Sequence, residues 1–238
     1  MTIVYQLGNK LYLNITNACP CSCVFCIRNS TSGVGSAASL WLEREPSLEE
    51  IKAAIDSCLS NMYENKTRHS ATSTFAPQGT VDEIVFCGYG EPMMRAHDVI
   101  ALSHHIKGYA SLEPACIGTG AACENMLINR RKPALPVRIN TNGLVFLMHP
   151  GFDVSRLGIV DTVSVSLNAD TAEEYQRVTR PIYGAQSFDS VLRFARQAKE
   201  YTRVVFSVVD GTLSPQQLEN CKKIAEETGV PLRVRGRE

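Results

Sequence analysis

The sequence predicts an α/β fold: a partial, six-stranded (β/α)6 barrel of parallel strands, in one domain spanning residues 1–238. Three observations predict it. Strand-like segments alternate with helix-like ones six times, and strands joined by such long crossovers run parallel. Inside the strands, apolar and polar side chains alternate. Val137 and Ile139 oppose Arg138 and Asn140; Val163, Val165 and Leu167 oppose Ser164, Ser166 and Asn168. Leu232 and Val234 oppose Arg233 and Arg235, and Leu11, Leu13 and Ile15 oppose Asn14 and Thr16. A barrel strand turns its apolar face to the surrounding helices, so the polar set is expected in the lumen. A closed barrel fills its lumen with branched apolar side chains. A polar lumen therefore predicts an open barrel holding a polar ligand, the alternative being mutual satisfaction through buried water. The third observation is positional: every segment rich in Cys, Gly, Glu or Asn follows the carboxyl end of a strand, where such barrels carry reactive groups.

The elements follow in order. Leu11-Tyr12-Leu13-Asn14-Ile15-Thr16 alternates and is the first strand. A cysteine-rich loop follows it, then a loop of small residues at 33–39. Ser47 with Glu50 forms a capping box that opens a helix running to about Leu59, with Leu48, Ile51, Ile55 and Leu59 on one face. Residues 61–80 are polar and are expected to be a loop insertion. Strand two covers 82–86 and a helix covers 97–107. Residues 108–135, rich in Gly, Ala and Pro, form a second expected insertion, which would serve as a lid. Strand three covers 137–140 and strand four 161–167. Thr171 opens one helix and Ser187 is expected to cap the next. Strand five covers 203–209, Ser214-Pro215 starts a helix ending at Gly229, and strand six covers 231–235.

Composition narrows the setting. The 238 residues carry 24 basic and 24 acidic side chains, a balance that gives no general attraction to nucleic acid or anionic membrane. Residues 1–10 lack the apolar run of a signal peptide, and no stretch is apolar for long enough to span a bilayer. Nine cysteines, an odd number without a secretory signal, predict a reducing cytoplasmic compartment rather than a disulfide framework.

Four of those cysteines fall in Cys19-Pro20-Cys21-Ser22-Cys23-Val24-Phe25-Cys26. Thiolates on one short loop suit an iron–sulfur cluster, and a missing fourth ligand leaves one iron open to a reactant. Zinc also takes thiolates, but its sites usually draw paired ligands from two separated loops, and no second Cys-x2-Cys is present. Cys21, two residues from each neighbour, is expected to point elsewhere. Cys58 and Cys221 lie in helices and are expected in the core, Cys87 is placed to approach the site from strand two, and Cys116 and Cys123 are too few for a second cluster.

Cys19-x3-Cys23-x2-Cys26, with an aromatic before the last cysteine, resembles the signature of the radical S-adenosylmethionine (SAM) superfamily. The segments 13–17, 86–92, 138–143 and 164–169 look like its TatD-associated subgroup. The resemblance implies a partial barrel of radical SAM type, with Cys19, Cys23 and Cys26 holding a 4Fe–4S cluster whose open iron binds SAM. Gly90-Glu91-Pro92, after Tyr89 in place of the usual first glycine, resembles the family's Gly-Gly-Glu-Pro, which binds the amino group of SAM. Asn142, Ser166 and Asn168 match positions that contact its ribose and carboxylate, and Phe25 and Ile27 match positions flanking the adenine. On the residues alone, Asn142 could instead take the left-handed position of a turn before Gly143.

The resemblance further implies reductive cleavage of SAM to a 5′-deoxyadenosyl radical that abstracts hydrogen from a substrate. A reducing partner such as flavodoxin or ferredoxin would supply the electron. The reaction stays open between a small-molecule rearrangement like that of the 7-carboxy-7-deazaguanine synthases, activation of a glycyl-radical enzyme, and modification of a peptide or nucleic acid. A non-catalytic iron–sulfur electron carrier is the contrasting class. It would need neither a polar lumen nor the Gly-Glu-Pro loop. Arg138, Arg233 and Arg235 fall on the expected lumen faces, where carboxylates are scarce, which predicts an anionic substrate near Arg138 and Arg235.

Overall fold

The structure is a computed structural model and describes residues 1–29, 34–67, 81–109 and 135–236. Seven strands form one sheet in sequence order: β1 (Val4–Leu7), β2 (Lys10–Leu13), β3 (Glu83–Phe86), β4 (Val137–Thr141), β5 (Thr162–Ser166), β6 (Arg203–Val209) and β7 (Leu232–Arg235). From β2 to β7 every neighbouring pair is parallel. Among the described residues no ladder joins β7 back to β1. The sheet is mixed, mostly parallel and flanked by helices, as an incomplete (β/α) barrel is.

The seventh strand departs from expectation. β1 pairs antiparallel with β2 through a two-residue turn, Gly8-Asn9, with Leu7 opposite Lys10 and Gly8 at φ 59°. A tight hairpin of this kind is how an antiparallel strand joins an otherwise parallel sheet. β2 is also shorter than predicted. Its ladder ends at Leu13, so Asn14 and Thr16 do not join the lumen face. The Asn14 amide donates instead to Thr2 O (3.0 Å) and Leu40 O (2.7 Å), and the Thr16 hydroxyl donates to Glu45.

The helices are α1 (Leu48–Thr67), α2 (Ala96–Tyr109), α3 (Val145–Met148), α4 (Ala172–Thr179), α5 (Gln186–Ala198) and α6 (Pro215–Thr228). The Ser47/Glu50 capping box forms, with Ser47 N–H to Glu50 Oε2 at 2.8 Å and Glu50 N–H to Ser47 Oγ at 3.2 Å. α1 continues to Thr67, about two turns beyond Leu59. Its polar end was expected to be loop, but polarity alone does not break a helix and this segment has no Gly or Pro. The rest of that expected insertion, 68–80, and all but the ends of the second, including Cys116 and Cys123, lie outside the described residues. Thr171 caps α4 and Ser214 caps α6, which ends at left-handed Gly229. Ser187 does not cap α5; the helix begins at Gln186, and Ser187 is buried within it with no partner for its hydroxyl among the described residues.

The main core lies between the outer sheet face and these helices. Ile84, Phe86, Val137, Ile139, Val163, Val165, Phe206 and Val208 meet Ile51, Val99, Val191 and Phe194 there. Burying a large aliphatic or aromatic side chain is worth about 1.5–3 kcal/mol, so this face fixes strand register. Cys221 is buried in this core and Cys58 packs against it. A smaller cluster of Tyr5, Tyr12, Leu40, Val85 and Tyr89 occupies the inner face at β1–β3. The inner face is therefore aromatic on that side and polar on the side of β4–β7.

Candidate functional site

The carboxyl end of β2 leads into the cysteine loop, and backbone hydrogen bonds hold that loop on both sides. Ser22 N–H and Val24 N–H donate to Thr179 O and Val178 O at the end of α4, each at 2.9 Å, and Ile182 N–H donates to Pro20 O at 2.9 Å. On the other side, Glu91 N–H donates to Ala18 O at 2.8 Å. Two glycines allow that approach. A Cβ on Gly88 would overlap Asn14 Oδ1, and one on Gly90 would overlap Thr16 O and stand 2.8 Å from Ala18 O. The loop after β3 is thus pressed against the loop after β2, which requires the Gly-x-Gly spacing.

Glu91 turns its side chain inward and is 4% exposed. Its carboxylate accepts three hydrogen bonds: Oε1 from Met93 N–H (2.9 Å) and the Thr141 hydroxyl (2.7 Å), Oε2 from Asn142 N–H (2.6 Å). Burial, with the nearby charge of Cys19, lifts its pKa from 4.5 to about 7 despite those donors. Pro92 opens the short 3-10 turn Pro92–Arg95, is buried, and does not line the cavity. At the end of β4, Asn142 does not take the left-handed position; Gly143 does, at φ 79°. Asn142 Oδ1 accepts Leu144 N–H at 2.9 Å, while its amide reaches Cys21 Sγ at 3.8 Å.

One cavity of about 1040 Å³ collects these groups on the inner side of the sheet. Cys19, Cys23 and Cys26 line it, as do Phe25, Ile27, Gly90, Glu91 and Asn142. Ser166 and Asn168 line the β5 wall, and Arg138, Arg233 and Arg235 line it on β4 and β7. Cys87 reaches it as expected. Asn168 is 5% exposed, sits in the left-handed region at φ 55°, and its Oδ1 has no partner among the described residues. A buried acceptor without a donor is costly, so a ligand donor is what this atom lacks.

The structure corrects two expectations. Cys21 does not point away. It is buried, lines the same cavity, and its side chain interacts with those of Cys19 and Cys23. Those interactions, above all, hold Cys19 near pKa 6, with Arg28 assisting and burial opposing, and they lower Cys23 as well. The same interactions, with burial, raise the pKa of Cys21 itself. Burial raises Cys26. Arg138 is not an unpaired lumen cation: its guanidinium forms a fork on Glu83, at 3.1 and 3.0 Å, and donates to Asn140 Oδ1 at 2.8 Å. Glu83 also accepts from Lys10 at 2.7 Å. The lumen therefore holds a carboxylate that the alternation of strand two should have revealed, since Glu83 and Val85 share a face.

The donor set fits an iron–sulfur cluster. Two thiols are already biased toward thiolate, the form that ligates iron, and an arginine lies close to the loop. Among the described residues no three Cys, His, Asp or Glu side chains converge so as to hold a single metal ion. A cluster makes a different demand, because its protein thiolates each meet a different iron rather than one point.

An incomplete parallel barrel, with a thiolate loop after its first parallel strand and a buried carboxylate after its second, defines a class of cofactor-dependent enzymes. Residues 13–225 match the Radical SAM superfamily, and the chain belongs to it. Membership implies the use of an iron–sulfur cluster and SAM. No curated protein matches this chain. Among solved structures, SuiB of Streptococcus suis bound to precursor peptide SuiA matches 99% of this chain and 40% of its own, with a TM-score of 0.60 and 13% identity. SuiB bound to S-adenosylmethionine matches 98% of this chain and 41% of its own, with a TM-score of 0.59 and 13% identity. The chain thus spans about two fifths of the length of these SuiB structures, and the likeness is one of fold.

Proposed function

We propose that this chain is a radical SAM enzyme: Cys19, Cys23 and Cys26 hold a 4Fe–4S cluster that reductively cleaves SAM, and the 5′-deoxyadenosyl radical abstracts hydrogen from a substrate. The observation that carries this reading is a single cavity faced at once by the three cysteines, Glu91 and the unpartnered Asn168. An electron carrier needs a cluster but has no use for a space of about 1040 Å³ behind it.

The residues divide the work. Cys21 and Arg28 hold negative charge on the thiolates they approach. Glu91 and the loop around Gly90 receive the ammonium of SAM, Asn142, Ser166 and Asn168 its ribose and carboxylate, and Phe25 and Ile27 flank its adenine. The aromatic wall of Tyr12 and Tyr89 keeps water from that side of the cavity. The six parallel strands form the catalytic barrel within a single domain, nearest in motif to the TatD-associated subgroup. Flavodoxin or ferredoxin serves as donor in the cytoplasm. No described helix is long and apolar enough to cross a membrane.

Anaerobic reconstitution with iron and sulfide, then dithionite and SAM, should give about four irons per chain and release 5′-deoxyadenosine. Cluster formation without 5′-deoxyadenosine would leave the electron carrier; tightly bound zinc in place of iron would sink both. Screening metabolites and glycyl-radical proteins for faster 5′-deoxyadenosine release separates the small-molecule and activase outcomes.

A further inference from the structure

The far wall of the cavity is a surface of hydrogen-bond donors. The register places Ser166, Ser207 and Arg233 in one row across β5, β6 and β7, with Arg235 beside Val209 one step nearer the carboxyl ends. Ser207 is 2% exposed and Ser164 4%, and both line the cavity. Asn140 already spends its carbonyl oxygen on Arg138, leaving its amide hydrogens to donate. The guanidinium groups of Arg233 and Arg235, both exposed on the last strand, have no ion pair or hydrogen bond among the described residues, in contrast to buried Arg138, which shares Glu83 with Lys10. Among the described lining residues the one carboxylate is Glu91, beside the cysteine loop, while Glu83 in the lumen is spent on Arg138 and Lys10.

We infer that Arg233 and Arg235, with Ser207, form the anion-binding end of the substrate site, and that the substrate is a small molecule carrying a carboxylate or phosphate. The inference rests on the proposed radical SAM reading and adds the substrate class to it. Guanidinium has five donors and no acceptor, cannot shed its proton, and matches both oxyanions in geometry. Two residues apart on one strand, the two side chains leave the backbone about 6.6 Å from each other on the same face. That spacing brackets one phosphate or a pair of carboxylates. The site is on β7 and the cysteine loop follows β2, and both line the same cavity, so an anion anchored at one wall shares its space with the cofactors. Arg138 serves differently: neutralised by Glu83, it fixes Asn140 and shapes the floor.

The test uses the reconstituted holoprotein with SAM bound and two probes, pyrophosphate and citrate. Phenylglyoxal labels accessible guanidinium groups, and peptide mass spectrometry reads the labelling at each arginine. Either probe should reduce labelling of Arg233 and Arg235 at least fivefold while leaving exposed Arg203, on the opposite end of its strand, unchanged. Protection by pyrophosphate alone assigns a phosphate substrate, and protection by citrate alone a carboxylate. Calorimetry should find the preferred probe bound at least tenfold more weakly by Arg233→Gln/Arg235→Gln, and equally well by Arg203→Gln. Equal protection of all three arginines, no protection of any, or protection by SAM alone would overturn the inference. The same wild-type preparation is assayed for 5′-deoxyadenosine. Cleavage of SAM with unprotected arginines removes only the substrate class, whereas no cleavage removes the enzymatic reading itself.

Discussion

The Glu91 carboxylate accepts the backbone N–H of Asn142 at 2.6 Å, and so joins the end of β3 to the end of β4 inside the cavity wall. Glu91 is therefore a clamp as well as a candidate SAM contact. Glu91→Ala strips acceptors from Met93 N–H, Asn142 N–H and the Thr141 hydroxyl. Each buried donor left unpaired costs about 1–3 kcal/mol, reduced where water enters. Urea unfolding should show a loss of about 2–4 kcal/mol on that scale, accompanied by weaker SAM binding. Unchanged stability would mean the clamp is not formed in solution.

The pH dependence follows from the same carboxyl. Its folded pKa, about 7, lies above the ordinary 4.5, so the folded state holds a proton the unfolded state has released. The stabilisation is complete below pH 4.5 and is lost as pH rises through 7. At about 1.4 kcal/mol for each pH unit, the loss is on the order of 3 kcal/mol. Cys19 acts oppositely. Its pKa of about 6 lies below the ordinary 9.0, so its stabilisation is present above pH 9 and lost as pH falls through 6. Between pH 4.5 and 6 the carboxyl dominates. Apoprotein stability should fall across that interval in wild type and stay flatter in Glu91→Gln, measured by urea midpoints at each pH. Parallel curves would contradict the raised pKa.

The thiols give a sharper test than activity does. Cys19→Ala, Cys23→Ala and Cys26→Ala should each lose the cluster's iron and its visible absorption. Cys21→Ala should retain iron, because Cys21 stands outside the Cys19-x3-Cys23-x2-Cys26 spacing and its pKa is pushed up rather than down. In metal-free Cys21→Ala, alkylation of Cys19 by iodoacetamide should acquire its half-maximal rate at higher pH than the value near 6 expected in wild type. Loss of iron in Cys21→Ala would instead make Cys21 a ligand.

Gly90→Ala places a methyl group against Thr16 O and Ala18 O, both backbone atoms that cannot swing aside. The loops after β2 and β3 must then separate. Thermal unfolding should show a lower midpoint, and SAM binding should weaken at least tenfold by calorimetry. Gly108→Ala, at a glycine that like Gly90 has no positive φ but has nothing within 4 Å of an added Cβ, is the matched control without that crowding.

Arg138→Met leaves Glu83 with Lys10 alone at the base of the lumen. Breaking a paired, largely buried charge costs about 3–5 kcal/mol, and the remaining lysine reduces this to about 2–3. A double-mutant cycle with Glu83→Gln should recover part of the loss. Strict additivity would show that the pair contributes nothing.

Much of this arrangement was legible in the sequence because parallel strands print their two faces as alternation. Arg138 and Asn140, Ser164 and Ser166, and Arg233 and Arg235 all reach the cavity as that rule requires. Alternation fails where extended pairing stops. Asn14 and Thr16 keep the period but lie beyond the last ladder residue of β2, and local carbonyl and carboxylate partners claim them. Cys21 fails for a related reason: a side chain's direction can be read from spacing only where the backbone has a regular period, and the cysteine loop is neither strand nor helix. The hairpin at Gly8-Asn9 was readable as a two-residue turn, but the flanking strand is only Val4–Leu7 and its apolar pattern is faint. Ser187 looked like a cap because serine favours that position, yet burial of one face carried the helix past it.

The backbone seam between the cysteine loop and the end of α4 has a bearing on repair. Ser22 and Val24 are tied to Thr179 and Val178 by peptide groups, not by metal. Oxygen damage that strips the irons would leave this frame standing, with its thiols still facing one space. Recovery is then a matter of reloading an intact socket, without passage through an unfolded chain. Hydrogen exchange at Ser22 and Val24 should stay slow in the iron-free protein; rapid exchange there would mean that the socket collapses with its cargo.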